Sequence, residues 1–123
     1  QDEAILWKKI LAADQRKYVI ATAVASSFSH KNTEMMSKVG LVDSHAYSLI
    51  NAYEEQDDSA RRVRLVQIRN PWGQKEWQGD WSDSSETWLK ARGMKERLGL
   101  ENKDDGIFFI SLQDYKQFFY ITT

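Results

Sequence analysis

The chain has no cysteine and a single proline among its 123 residues. Without Cys it carries no disulfide framework, no thiolate-ligated metal site and no cysteine nucleophile of its own. An excess of one charge is also missing: 17 Lys and Arg stand against 18 Asp and Glu, for a net charge of −1. That balance argues against a broad nucleic-acid footprint. No apolar run approaches the ~18–20 residues that span a bilayer. The opening QDEAILWKK puts acids first, which is not the basic, apolar, small order of a signal peptide. A cytoplasmic location is therefore expected. The composition suits a folded unit, since 41% hydrophobic and 12% aromatic residues are too many for a disordered chain. Residues 1–123 are expected to form one domain, or one half of a larger one.

Apolar spacing organises the chain. Ile5, Leu6, Ile10 and Leu11, with Trp7 beside them, predict a helix over 2–14. YVIATAV at 18–24 is short and β-branched and reads as a strand. The polar stretch 26–40 reads as a loop. Residues 45–53 alternate, with His45, Tyr47, Leu49, Asn51 and Tyr53 on one face. RRVRLVQIR at 61–69 is a second strand, and the acidic EEQDDSA between them reads as the turn of an antiparallel hairpin. The irregular segment 70–87 holds the proline and three of the five tryptophans. Asp83 or Ser84 would start a helix over 85–98, with Glu86 completing a capping-box pattern. ENKDDG at 101–106 reads as a turn, and IFFIS at 107–111 as a strand. A helix at 113–118 and a strand at 119–122 complete an α+β fold with an antiparallel β-sheet and a few short helices.

The hairpin brings two polar residues together. If the turn centres on Asp57–Asp58, facing residues total 115, and His45 meets Asn70. An Asn carbonyl oxygen can fix the tautomer of a neighbouring imidazole, leaving its other nitrogen to act as a base. Pro71 biases Asn70 toward extended backbone, and Trp72 could cover the pair. The alternative is a His and an Asn that satisfy each other at strand ends and do nothing more.

GLVDSHAYSLI (40–50) followed by VQIRNPWGQKEWQGDWSDSSETW (66–88) resembles the calpain family of papain-like cysteine proteases. The Asn-Pro-Trp-Gly form, then Glu-Trp, Gly-x-Trp-Ser-Asp and a later Trp, carries the resemblance. It extends less closely through DDGIFFISLQDYKQFF. The resemblance implies the C-terminal, β-rich half of a papain-like protease core. His45 would be the general base and acid, and Asn70 the orienting residue. The nucleophilic Cys and oxyanion-hole Gln would belong to a Cys-bearing half absent from this chain, the expected partner beside protein substrates. Ser44 stands where calpains commonly have Gly, and with Trp72 it would border the substrate cleft. The rival readings are a calpain-like module kept for binding or regulation, and a tryptophan platform for sugars.

Calcium is the one cofactor that the resemblance implies. Its ligands would be Glu76, Asp83, Asp105 and the backbone carbonyl of Lys103. A further family acid falls on Ile107, which removes a carboxylate, so a weakened site or none is expected. Zinc is poorly supported, because the two histidines, His30 and His45, are far apart in sequence. No G-x-S-x-G context surrounds any serine. The tryptophans are expected to pack in the core rather than form a platform.

Overall fold

The computed structural model describes residues 3–17, 19–24, 46–70, 77, 79–82, 85–99 and 106–121. Helix α1 (Glu3–Gln15) has Glu3 in its first turn, where the helix dipole favours an acid. Leu6, Trp7 and Ile10 are buried and Leu11 packs beside them. Ile5, expected on this face, is 53% exposed. A stripe through 6, 7, 10 and 11 follows the 3.6 period, and position 5 falls outside it.

Five antiparallel strands form one sheet in the order β4-β3-β2-β1-β5. They are β1 (Ile20–Val24), β2 (Ala46–Gln56), β3 (Arg62–Arg69), β4 (Ile107–Ser111) and β5 (Phe119–Ile121). Two expectations about the hairpin need correction. Facing residues total 117 near the open end, as Ser48 meets Arg69, and 118 beyond a bulge between Leu49 and Asn51. The assumed total of 115 fails because β2 runs on through Glu54, Glu55 and Gln56, and the chain reverses at 57–61. There Asp57 Oδ1 accepts from the Ser59 and Arg61 N–H groups, both at 2.9 Å. Glu54 and Glu55 stay in the strand because Arg64 and Arg97 hold them, at 2.8 and 2.7 Å. The Arg64 hydrogen bond also holds the Glu54 carboxyl below its ordinary range.

The bulge changes which residues share a face. Ile50 is the extra residue, since Leu49 meets Ile68 and Asn51 meets Gln67. Tyr47, Leu49 and Ala52 therefore share one apolar cluster, while Tyr53 packs with the other. The unbroken alternation expected over 45–53 does not hold.

One face of the sheet is covered by α1 and by α3 (Leu112–Phe118), whose Leu112, Tyr115 and Phe118 are buried. Thr22 Oγ1 and the Tyr115 hydroxyl hydrogen-bond at 2.7 Å and tie β1 to α3. Burial pushes the Tyr115 hydroxyl up to about 12, against the opposing effect of Thr22. Arg64 lies 5.4 Å from the Trp7 ring centre, a cation–π contact under α1. The other face is covered by a 3-10 helix (Glu86–Lys90) and by α2 (Arg92–Leu98). The single helix expected over 85–98 is thus broken, at buried Ala91 with φ −148° and ψ 48°. The cap is Ser85, whose side chain accepts from the Thr87 N–H. Gly99, at φ 65°, ends α2.

Candidate functional site

Asn70 follows the last residue of β3 and is 1% exposed. A buried backbone N–H needs a partner. Here the Asn70 N–H donates to the Gly106 carbonyl at 2.7 Å. Gly106 is itself buried, has φ 82°, and stands immediately before β4. The bond is one rung beyond the Arg69–Ile107 pair that opens the β3–β4 ladder. Asn70 is thereby fixed from the β4 side at the open end of the sheet. On the neighbouring β2, Tyr47 meets Phe108 and Phe119 edge-on, with ring centres 6.3 and 5.2 Å apart.

The corrected register bears on the expected pairing. A total of 117 carries Tyr47, not His45, toward the position opposite Asn70. His45 itself lies outside the described residues. So do Ser44 and Trp72 of the expected cleft, and Glu76, Asp83, Lys103 and Asp105 of the expected calcium site. Ile107 is described: it is half-buried, opens β4 and faces Arg69. Among the described residues no group of His, Asp and Glu is placed to hold a metal ion.

Trp77, Trp81 and Trp88 are packed inward, as expected, at 3%, 8% and 2% exposed. These three offer no exposed ring faces for a sugar platform, and Trp72 lies outside the described residues. Trp77 donates to the Asp80 carbonyl at 2.7 Å and lies against Phe118 of α3. A Cβ on Gly79 would fall inside the Trp77 ring, so only glycine fits there. Trp81 has φ 73°, a left-handed conformation that strains a bulky side chain. Trp88 holds it: its indole N–H reaches the Trp81 and Ser82 carbonyls at 3.2 and 3.0 Å, and its ring meets Trp81 edge-on. Asp80 Oδ1 accepts from the Thr87 hydroxyl at 3.0 Å. On α3, burial raises the Asp114 carboxyl, the Ser111 hydrogen bond opposes this, and the charge of Asp80 adds to it.

An open cavity of about 440 Å³ lies at the other end of β3, lined by Arg62, Arg64, Glu3 and Trp81 among others. Six to eight residues of strand separate those arginines from Asn70, roughly 20–26 Å. The cavity is therefore no part of the Asn70 site. Two residues that sequence reasoning passed over, Gly106 and Gly79, shape the described structure. The Asp-Gly at 105–106 signalled a turn, but nothing local showed that its carbonyl would meet Asn70.

A protein-family model described as calpain family cysteine protease matches residues 1–123. Calpain-9 of Rattus norvegicus is 33% identical over 113 residues, covering 90% of this chain and 16% of that protein. Calpain-14 of Homo sapiens is 38% identical over 115 residues, covering 93% of this chain and 16% of that protein. Calpain-5 of Mus musculus is 28% identical over 122 residues, covering 93% and 19%. The chain thus spans less than a fifth of the length of these relatives.

Proposed function

The chain belongs to the calpain family of cysteine proteases, and from that premise we propose that it is the His/Asn half of a cytoplasmic endopeptidase core. In this reading residues 1–123 are one subdomain, and a separate Cys-bearing half supplies the nucleophile and the oxyanion-hole Gln. His45 holds the Cys as a thiolate by taking its proton. The thiolate attacks the peptide carbonyl, and His45 returns the proton to the leaving amine. His45 then takes a proton from water, which hydrolyses the thioester. Asn70 accepts from the far ring nitrogen and holds the imidazole in the productive tautomer. Ser44 and Trp72 border the cleft that receives the protein substrate.

The observation that supports this reading best is the burial of Asn70 at the open end of β3, with its backbone tied to β4. Among the described residues no helix is long and apolar enough to cross a membrane. The test has two arms. The chain alone should leave casein intact with or without calcium, since a missing nucleophile leaves only weak residual rate enhancement. Mixed with the Cys-bearing half it should cleave casein, and His45→Ala should abolish that activity. Turnover by the isolated chain that His45→Ala removes would overturn the assignment. Binding of the Cys-bearing half without any turnover would favour a regulatory module.

Calcium would be held by Glu76, Asp83, Asp105 and the Lys103 carbonyl. These are hard oxygen donors, as Ca²⁺ requires, but fewer than the six to eight it takes. Ile107 brings no oxygen from its side chain, and Asp80 Oδ1 is already engaged by Thr87. Titration calorimetry, with tryptophan-sensitised terbium emission, should find no binding at micromolar Ca²⁺. Micromolar binding lost in Asp83→Asn would show that the Ile107 replacement matters less than this.

A further inference from the structure

We propose that Gly106 is a positioning residue for the proteolytic site, because its left-handed backbone aims the carbonyl that locks Asn70 in place. The proposal rests on the reading of Asn70 as the group that orients His45.

Asn70 is buried, so its N–H needs a partner within the protein. The Gly106 carbonyl at 2.7 Å is that partner. Pro71, next in the sequence, biases Asn70 toward extended backbone. The Gly106 bond and this bias together restrict the direction of the Asn70 Cα–Cβ bond, and hence where its amide begins. Of the two, the Gly106 bond is the one that reaches across strands. Gly106 meets this demand at φ 82°, which only glycine adopts without strain. An alanine there must either stay strained or relax to negative φ. Relaxation turns the chain about the Gly106 N–Cα bond, and where the preceding residues hold their place the carbonyl swings off the Asn70 N–H. The anchored pair Arg69–Ile107 next to it keeps the strands themselves in register. The damage is thus expected at Asn70 and not throughout the sheet.

The experiment reads His45 directly in the full chain, so it needs no nucleophile. With ¹⁵N-labelled histidine, ring nitrogen shifts report the tautomer of each neutral imidazole, and His30 serves as the internal reference. Asn70→Ala should shift the His45 tautomer ratio toward that of an isolated imidazole. Gly106→Ala should shift it in the same direction by a comparable amount, with His30 unmoved. Gly106→Asn, which tolerates left-handed backbone, should stay close to the parent chain, and this variant serves if Gly106→Ala fails to fold. Gly99→Ala, equally left-handed but in open space at the end of α2, should leave His45 unchanged. A His45 shift in Asn70→Ala but none in folded Gly106→Ala would overturn the role of Gly106 and spare that of Asn70. So would a shift in Gly106→Asn as large as that in Asn70→Ala. No His45 shift in Asn70→Ala would overturn the orienting role itself, and the Gly106 proposal with it.

Discussion

The two faces of the sheet are covered in different ways. On one, α1 and α3 lay regular apolar stripes over Tyr47, Leu49, Ala52, Val66, Ile68, Phe108 and Ile110. Many side chains share the load there, and the buried pair of Thr22 with Tyr115 adds a polar cross-link. On the other, a smaller cluster around Leu65 and Phe109 is sealed by the 3-10 helix, the short α2 and the indoles of Trp81 and Trp88. Trp88 does two things at once on that face. It fills volume, and its N–H satisfies two carbonyls of a turn whose Trp81 sits in strained conformation. The cover of α1 and α3 distributes its stability over many side chains, whereas the cover that includes the strained turn concentrates it in the residues that tie backbone to ring.

The contrast can be broken by experiment. The largest effect is expected at Trp88. Trp88→Ala should cost at least about 3–5 kcal/mol, the usual range for a buried Trp, and more than Trp7→Ala on the helical face. Denaturant unfolding of both variants measures this, and equal losses would erase the distinction. Gly79→Ala should cost about 1–3 kcal/mol, because the added methyl must displace the Trp77 ring. A red-shifted tryptophan emission should accompany it, and a neutral result would mean that the loop yields freely. Thr22→Val should cost about 1–2 kcal/mol by leaving the buried Tyr115 hydroxyl unsatisfied. A loss larger than that of Trp88→Ala would reverse the comparison.

The smallest effect concerns pH. The Asp114 carboxyl is raised in the folded chain, so folding favours its protonated form. Stability is therefore lost as pH rises above the ordinary carboxylate value of 3.8, and the penalty is complete at neutral pH. Asp114→Asn should raise the melting temperature slightly at pH 7 and leave it unchanged below pH 3. A rise of equal size at both pH values would point to packing instead of charge.

The same contrast decides what the sequence made legible. On the helical face, period and alternation placed α1, β3, β4, α3 and β5 to within a residue or so of their observed ends. The α+β class with an antiparallel sheet followed from them. The failures are tertiary. The bulge at Ile50 leaves no local mark, yet it moves the register and swaps the face of Asn51 and Tyr53. The acids at 54–55 signalled a turn because their arginine partners come from β3 and α2. The break at Ala91 arises where the segment docks on the sheet, since alanine is otherwise a good helix former. Asn70 stood out in the sequence by its motif, and the structure adds that it is buried. Gly106 was legible only as a turn residue, because its partner stands 36 positions earlier in the chain.

The strand order has a consequence for how the chain assembles and comes apart. β2, β3 and their hairpin turn are neighbours in sequence and can pair early, after closing a short loop. Among the described residues β5 pairs with β1 alone, and the rung Thr22–Ile121 joins residues 99 positions apart. Closing a loop of that length is entropically costly and yields only three rungs. The β1–β5 seam should therefore zip last during folding and open first in the native state. Amide hydrogens should exchange fastest in β5 and slowest across β2 and β3, where strands lie on both sides.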